Sequence, residues 1–200
     1  MSLFPFKTNV ARQAQTDAGG IRTSLLSPVM YTPGSPAVAD VDYYFTGVMA
    51  LGAYALLKAA PDMGARSVTI KRTDAGAADT FGTVVIVGTD LNDDVITETL
   101  TPTVSATEYE TVRAFKTITS ITSVGWVIGD AADTFIIGMG GKIGLPDKLS
   151  DTAQLLFASL NGVKEATAPT VAVSATVLAS NTVKLDSALA GTAVKAYYVL

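Results

Sequence analysis

Between Ser67 and Leu200, short runs rich in Val, Ile and Thr are broken every several residues by Gly, Asn, Asp or Pro. That rhythm predicts antiparallel strands joined by tight turns, stacked as a sandwich or closed toward a barrel. Val68, Ile70 and Arg72 alternate with Ser67, Thr69, Lys71 and Thr73, a period of two that puts one set inside. Further strands are expected at Phe81–Thr89, Val95–Thr101, Tyr109–Arg113, Phe115–Val124, Gly125–Ile128 and Thr134–Met139. Asn161-Gly162 separates two apolar runs and predicts a hairpin, because both residues accept positive φ. Thr170–Val177 alternates cleanly and reads as one strand, and the apolar run Val194–Leu200 ties the C-terminus into a sheet.

The stretch from Ala39 to Ala60 satisfies two patterns. Its alanines and Asp40 as an N-cap favour a helix, whereas Tyr43-Tyr44-Phe45-Thr46 and two glycines favour strands. The turn Ala60-Pro61-Asp62-Met63-Gly64 feeds straight into a strand, which tips the reading toward β. Residues 1–37 differ again. Pro28, Pro33 and Pro36 argue against a helix beyond Leu26, while Leu3, Phe4, Phe6, Leu25, Leu26 and Tyr31 are too apolar for a free linker. The expected fold class is therefore mainly β. An extended N-terminal arm, 1–37, precedes an antiparallel sandwich or barrel-like domain over 38–200, with 38–148 and 149–200 as candidate packed sub-sheets.

Composition removes most chemistry. The chain has neither His nor Cys, so an imidazole base, a thiol nucleophile and zinc-thiolate or iron–sulfur ligation are excluded. Net charge is −4 and the basic residues are scattered, with Lys71-Arg72 the one adjacent pair, which argues against nucleic acid as a partner. The apolar run Tyr43–Leu57 ends at Lys58, short of the about 18–20 residues a membrane span needs. Charged residues are 16% of the chain, a low share that suits a surface made for protein contact.

Four features bear on chemistry. Asp90-Leu91-Asn92-Asp93-Asp94 resembles the start of a calcium loop, but Val95 and Thr101 fall where such a loop needs Gly and Glu, so a polar turn is expected. Asp130 and Asp133 are too close in sequence for an opposed catalytic carboxylate pair. Gly138-Met139-Gly140-Gly141-Lys142 lacks the Ser or Thr and the helix of a phosphate loop and reads as a bend between strands. Trp126 is expected in the core, with an interface anchor the alternative. Arg66 and Arg113 are the best-placed candidates for buried or interfacial ion pairs, although a solvated strand face is the expectation for both, as it is for Glu98, Glu108 and Glu110. No cofactor, metal or catalytic residue is assigned, and the chain is read as a non-enzyme.

Several segments carry a resemblance. Ala65–Ile70, Phe81–Asp90, Ile96–Thr99, Ala114–Ile121 and Lys142–Pro146, with the ending Ala188–Thr192 before a Tyr-bearing strand, resemble tailed-bacteriophage virion structural proteins. The likeness covers about residues 60 to 200 and is closest to head decoration, or cement, proteins. It implies a β-rich fold, a homo-oligomer with a trimer favoured, and the major capsid protein as partner. It also implies synthesis in the host cytoplasm and a final place on the capsid exterior, where bridging of neighbouring subunits stabilises the shell. Under that reading Leu3, Phe4, Phe6, Leu25, Leu26 and Tyr31 are the partner-binding candidates. The alternative is a phage tail or fibre component acting as a host-binding adhesin.

Overall fold

The computed structural model describes the backbone of residues 12–17 and 20–25 and the whole of 27–76 and 79–200. Its described residues hold strands and two single 3-10 turns, Thr152–Gln154 and Leu178–Ser180, with no α-helix among them. In chain order the strands are β1 (Arg12–Asp17), β2 (Gly20–Leu25), β3 (Pro28–Gly34), β4 (Asp40–Val48), β5 (Gly52–Ala53) and β6 (Arg66–Thr73). They continue as β7 (Thr83–Thr89), β8 (Val95–Leu100), β9 (Glu108–Glu110), β10 (Thr117–Val124) and β11 (Thr134–Gly144). The last five are β12 (Leu155–Leu160), β13 (Val163–Lys164), β14 (Thr170–Ala172), β15 (Thr182–Lys184) and β16 (Val194–Val199).

All strand pairings among the described residues are antiparallel. A four-stranded sheet, β5-β10-β7-β8, faces a larger one ordered β14-β15-β11-β6-β9, in which β4 also pairs with β11. Period-two alternation supplies the interior. Val84 and Ile86 of β7, Ile96 of β8, and Ile118 and Ile121 of β10 meet Val68 and Ile70 of β6 and Phe135, Ile137 and Met139 of β11. Each such side chain contributes about 1.5–3 kcal/mol through burial. The sandwich expected from the turn rhythm is the observed architecture.

A third sheet, β13-β12-β16-β3, closes a second core around Ile143, Leu149, Ala158, Val183, Val194 and Tyr198. The chain enters it through β3, which lies antiparallel to β16 from Pro28↔Val199 to Gly34↔Val194. The last part of the segment read as an arm is thus a strand of the domain. Ser27 and Leu200 exchange two backbone hydrogen bonds of 3.1 Å, so the C-terminus is tied in as expected. The Asn161-Gly162 hairpin also forms, with φ of 50° and 78° at its two central residues.

Three strand readings need correction. Gly138–Lys142 is no bend: β11 runs through it, with a register irregularity between Met139 and Ile143. Glycine is what lets the strand pass, since a Cβ on Gly138 would lie 2.4 Å from the carbonyl oxygens of both Asp40 and Val41. Thr170–Val177 is strand only to Ala172. Beyond it, buried Asn181 captures the chain, its Oδ1 accepting from Leu149 N and Ser174 N and its Nδ2 donating to the carbonyls of Ser174, Val177 and Leu178. Gly125–Ile128 keeps a lone bridge, Val127↔Thr80, because Gly125 turns at φ 73° and Trp126 drops into the core.

Candidate functional site

Arg72 continues the inward face of Val68 and Ile70, so its guanidinium enters the sandwich and is fully buried. A buried cation requires partners. Nη1 pairs with Asp79 Oδ2 at 2.5 Å and with Asp74, while Nε and Nη2 donate to the carbonyls of Pro102 and Thr103. The rings of Phe81 and Trp126 flank it, with centroids 5.1 and 5.6 Å from its Cζ. Burial by itself would raise the Asp79 carboxyl. The Gly129 N–H, Arg72 and a hydrogen bond with Asp133 outweigh it and hold the group below its ordinary value. Trp126 is core, as expected, and its indole N–H donates to Thr83 O at 3.0 Å.

Arg66 overturns the expectation of a solvated face. It is fully buried, with Nε and Nη2 donating to Gly140 O at 3.1 and 2.6 Å, and Nη1 meeting Asp62 Oδ1 at 3.0 Å and Ala37 O at 3.3 Å. Burial lowers the guanidinium pKa from its ordinary value and the Asp62 charge opposes that. Asp62 also accepts from the Ala37 N–H, so one ion pair clamps the end of the 1–37 segment to β6 and β11. The signal in sequence was faint: an Arg four residues after an Asp, across a turn.

Asp90, Asp130 and Asp133 are also engaged internally. Asp90 Oδ1 accepts from Asn92 N and Asp94 N, and Asp93 has φ 67°, which makes the acidic run a turn closed on its own backbone. Asp133 is buried and accepts from Ala75 N and Asp130 N, and Asp130 accepts from Ala132 N. Glu98 is not free on a solvent face, since it accepts from the N–H groups of Val112 and Arg113 at 2.7 and 2.8 Å. Arg113 in turn donates to Thr97 O, capping the edge strand β8. Glu108 is exposed, whereas Glu110 is half-buried, accepting from Ser67 Oγ at 2.6 Å and facing Lys184 and Lys142 at 3.2 and 3.7 Å. Burial would raise Glu110, but the Ser67 hydroxyl and the two lysines keep it below the usual range.

Of the partner-binding candidates, Leu3, Phe4, Phe6 and Leu26 lie outside the described residues, as does the side chain of Leu25. Tyr31 is placed. It sits on β3 opposite Ala196, packs on the second core, and has its pKa raised by burial, so its ring is committed inside the domain. A cavity of about 570 Å³ runs beside β12 and is lined by Leu155, Leu156, Phe157, Lys164, Pro169 and Val171 among others. Phe157 stacks on Tyr197 at 4.3 Å, and Glu165 at the rim is buried and accepts from Ser187 N.

The surface shows the converse of this inward charge. Val41, Val48, Leu51 and Leu57 are exposed along the 40–60 stretch, and Val95, Val112, Val124 and Val127 on or beside the four-stranded sheet. Comparison with family models, with curated proteins and with solved structures gave no match.

Proposed function

We propose that this chain is a structural virion protein that binds the outside of a phage capsid and stabilises the shell by bridging capsid subunits, without catalysis or a cofactor. One observation carries the reading: six charged side chains are spent on internal bonds while several large apolar side chains face outward. Arg66, Arg72, Asp79, Asp90, Asp133 and Glu165 all bond inside the domain, and Leu51, Leu57, Val95 and Val127 are each at least 60% exposed. A surface of that kind favours contact with protein over catalysis in water. The resemblance of residues 60–200 to decoration proteins supplies the kind of partner. Repeated copies on a lattice turn modest contacts into firm attachment.

The segment before β3 is the proposed tether, with Leu3, Phe4, Phe6, Leu25 and Leu26 as its anchors on a capsid subunit. Deleting residues 1–26 leaves the Ser27–Leu200 closure intact. Heads lacking this protein, mixed with the truncated chain and examined by quantitative gel densitometry, should lose at least tenfold in occupancy relative to the full chain. Equal occupancy would remove the tether from the account.

A further inference from the structure

The outer edge of β12 is covered only in part. β13 pairs with it at Ser159 and Leu160, and Glu165 N adds a 3.0 Å bond to Ala158 O. There the chain departs: the Glu165 carboxylate accepts from Ser187 N, and Pro169 has no N–H with which to extend a ladder. By Thr170 the chain has joined another sheet as β14. Leu155, Leu156 and Phe157 are left without a strand neighbour on that side among the described residues, where β13 would have continued. The cavity of about 570 Å³ is this slot, walled by β12 on one side and by Ala166, Pro169 and Val171 on the other. Leu156, on its wall, is 56% exposed, and Lys164 Nζ stands 5.4 Å from the centre of the Phe157 ring.

We propose that the chain's own N-terminal segment, Leu3-Phe4-Pro5-Phe6, fills this slot as an added strand in the free protein. An open strand edge beside an apolar wall takes an extended apolar segment, whose backbone pairs with the edge while its side chains enter the cavity. Position selects this segment. β1 runs back along β2, so Arg12 lies opposite Leu25, two residues before Ser27, and Ser27 is bonded to Leu200 at the end of β16. β12 is the next strand, with Leu155 opposite Tyr198. From strand spacing and rise, the path from Arg12 through these neighbours to Leu155 is at most about 30 Å. Nine extended residues carry the chain from Arg12 to Leu3, about 30 Å at the same rise. A segment tethered this close competes at an effective concentration that a separate partner does not reach. Pro5 is compatible, because an edge strand tolerates a residue without N–H on its outer side. A capsid subunit then acquires these anchors by drawing them out of the slot, which reconciles stowage with the proposed tether.

Hydrogen exchange read by mass spectrometry tests the docking on the full chain, unaltered and as the variants Phe4→Asp/Phe6→Asp and Leu156→Asp. Leu156 belongs to neither core, so its replacement spares the fold. In the unaltered chain the amides of Leu155, Leu156 and Phe157, and those of Leu3, Phe4 and Phe6, should be protected. Each variant should speed exchange at both places by about tenfold or more. Protection of β7 should be the same in all three, which separates loss of the docked strand from loss of the fold. Equal exchange at the slot in the three forms overturns the proposal. Protection that falls on dilution puts another copy's segment in the slot and overturns it as well. Docking of the segment does not depend on the virion reading, and head binding is scored separately. A protected segment on a chain that ignores heads removes the virion reading alone, and an unprotected segment on a chain that coats heads removes the docking alone.

Discussion

Replacing Arg72 with Met is expected to destabilise the domain by about 3–5 kcal/mol, because it strands the buried Asp79 carboxylate without its cation. Asp79, with no exposed side-chain area, loses its ion pair, and the Pro102 and Thr103 carbonyls lose their donors. For a chain of this length that loss corresponds to about 6–20 °C in Tm. Urea unfolding followed through Trp126, whose ring flanks the guanidinium, reads the change directly. Lys116→Ala makes the contrasting case. Its pair with Asp93 is largely exposed, and breaking it should cost no more than about 1 kcal/mol.

The same pair sets an acid dependence. Asp79 is held below its ordinary value in the folded chain and returns to that value on unfolding. Its contribution is therefore complete above the unfolded pKa and is lost as pH falls through the folded one. Glu110 has the same sign. Stability of the unaltered protein should decline as pH drops below the ordinary carboxylate range. The gap between it and Arg72→Met should narrow over the same interval. A gap that is constant down to acid pH would mean that Asp79 is not the partner that matters.

Gly88→Ala is the second large effect, about 3 kcal/mol or more, at or above the upper end of overpacking costs. A Cβ there would lie 2.0 Å from Thr117 O and 2.9 Å from Phe115 Cδ1. The first obstacle is backbone of the neighbouring strand, which cannot rotate aside, so β10 must part from β7 next to the register shift at Ile118/Ser120. Gly125→Ala gives the comparison. Nothing lies within 4 Å of its Cβ position, and the cost is the strain of φ 73°, about 1 kcal/mol. Chemical denaturation of both variants checks the order; equal losses would refute the close-approach argument.

What could be read in advance followed local rules. Alternation at Val68, Ile70 and Arg72 gave the inward face of β6, and Asn161-Gly162 gave its hairpin, because each signal is carried by adjacent residues. The failures share a cause at long range. Thr170–Val177 alternates, yet Asn181 offers Ser174 and Val177 better-paired hydrogen bonds than a longer ladder would. Gly138–Lys142 looks like a bend until Asp40 and Ser67 are seen pressing on it. Arg66 could be buried only because Asp62, Ala37 and Gly140 O converge on it from three parts of the chain.

The central proposal is that this chain works as adhesive surface on a phage head. Separating heads from tails and quantifying the chain in each by mass spectrometry tests that claim most directly. The account predicts many copies per particle, in fixed ratio to the major capsid protein, in the head fraction alone. Recovery with tails, or in neither fraction, would contradict it.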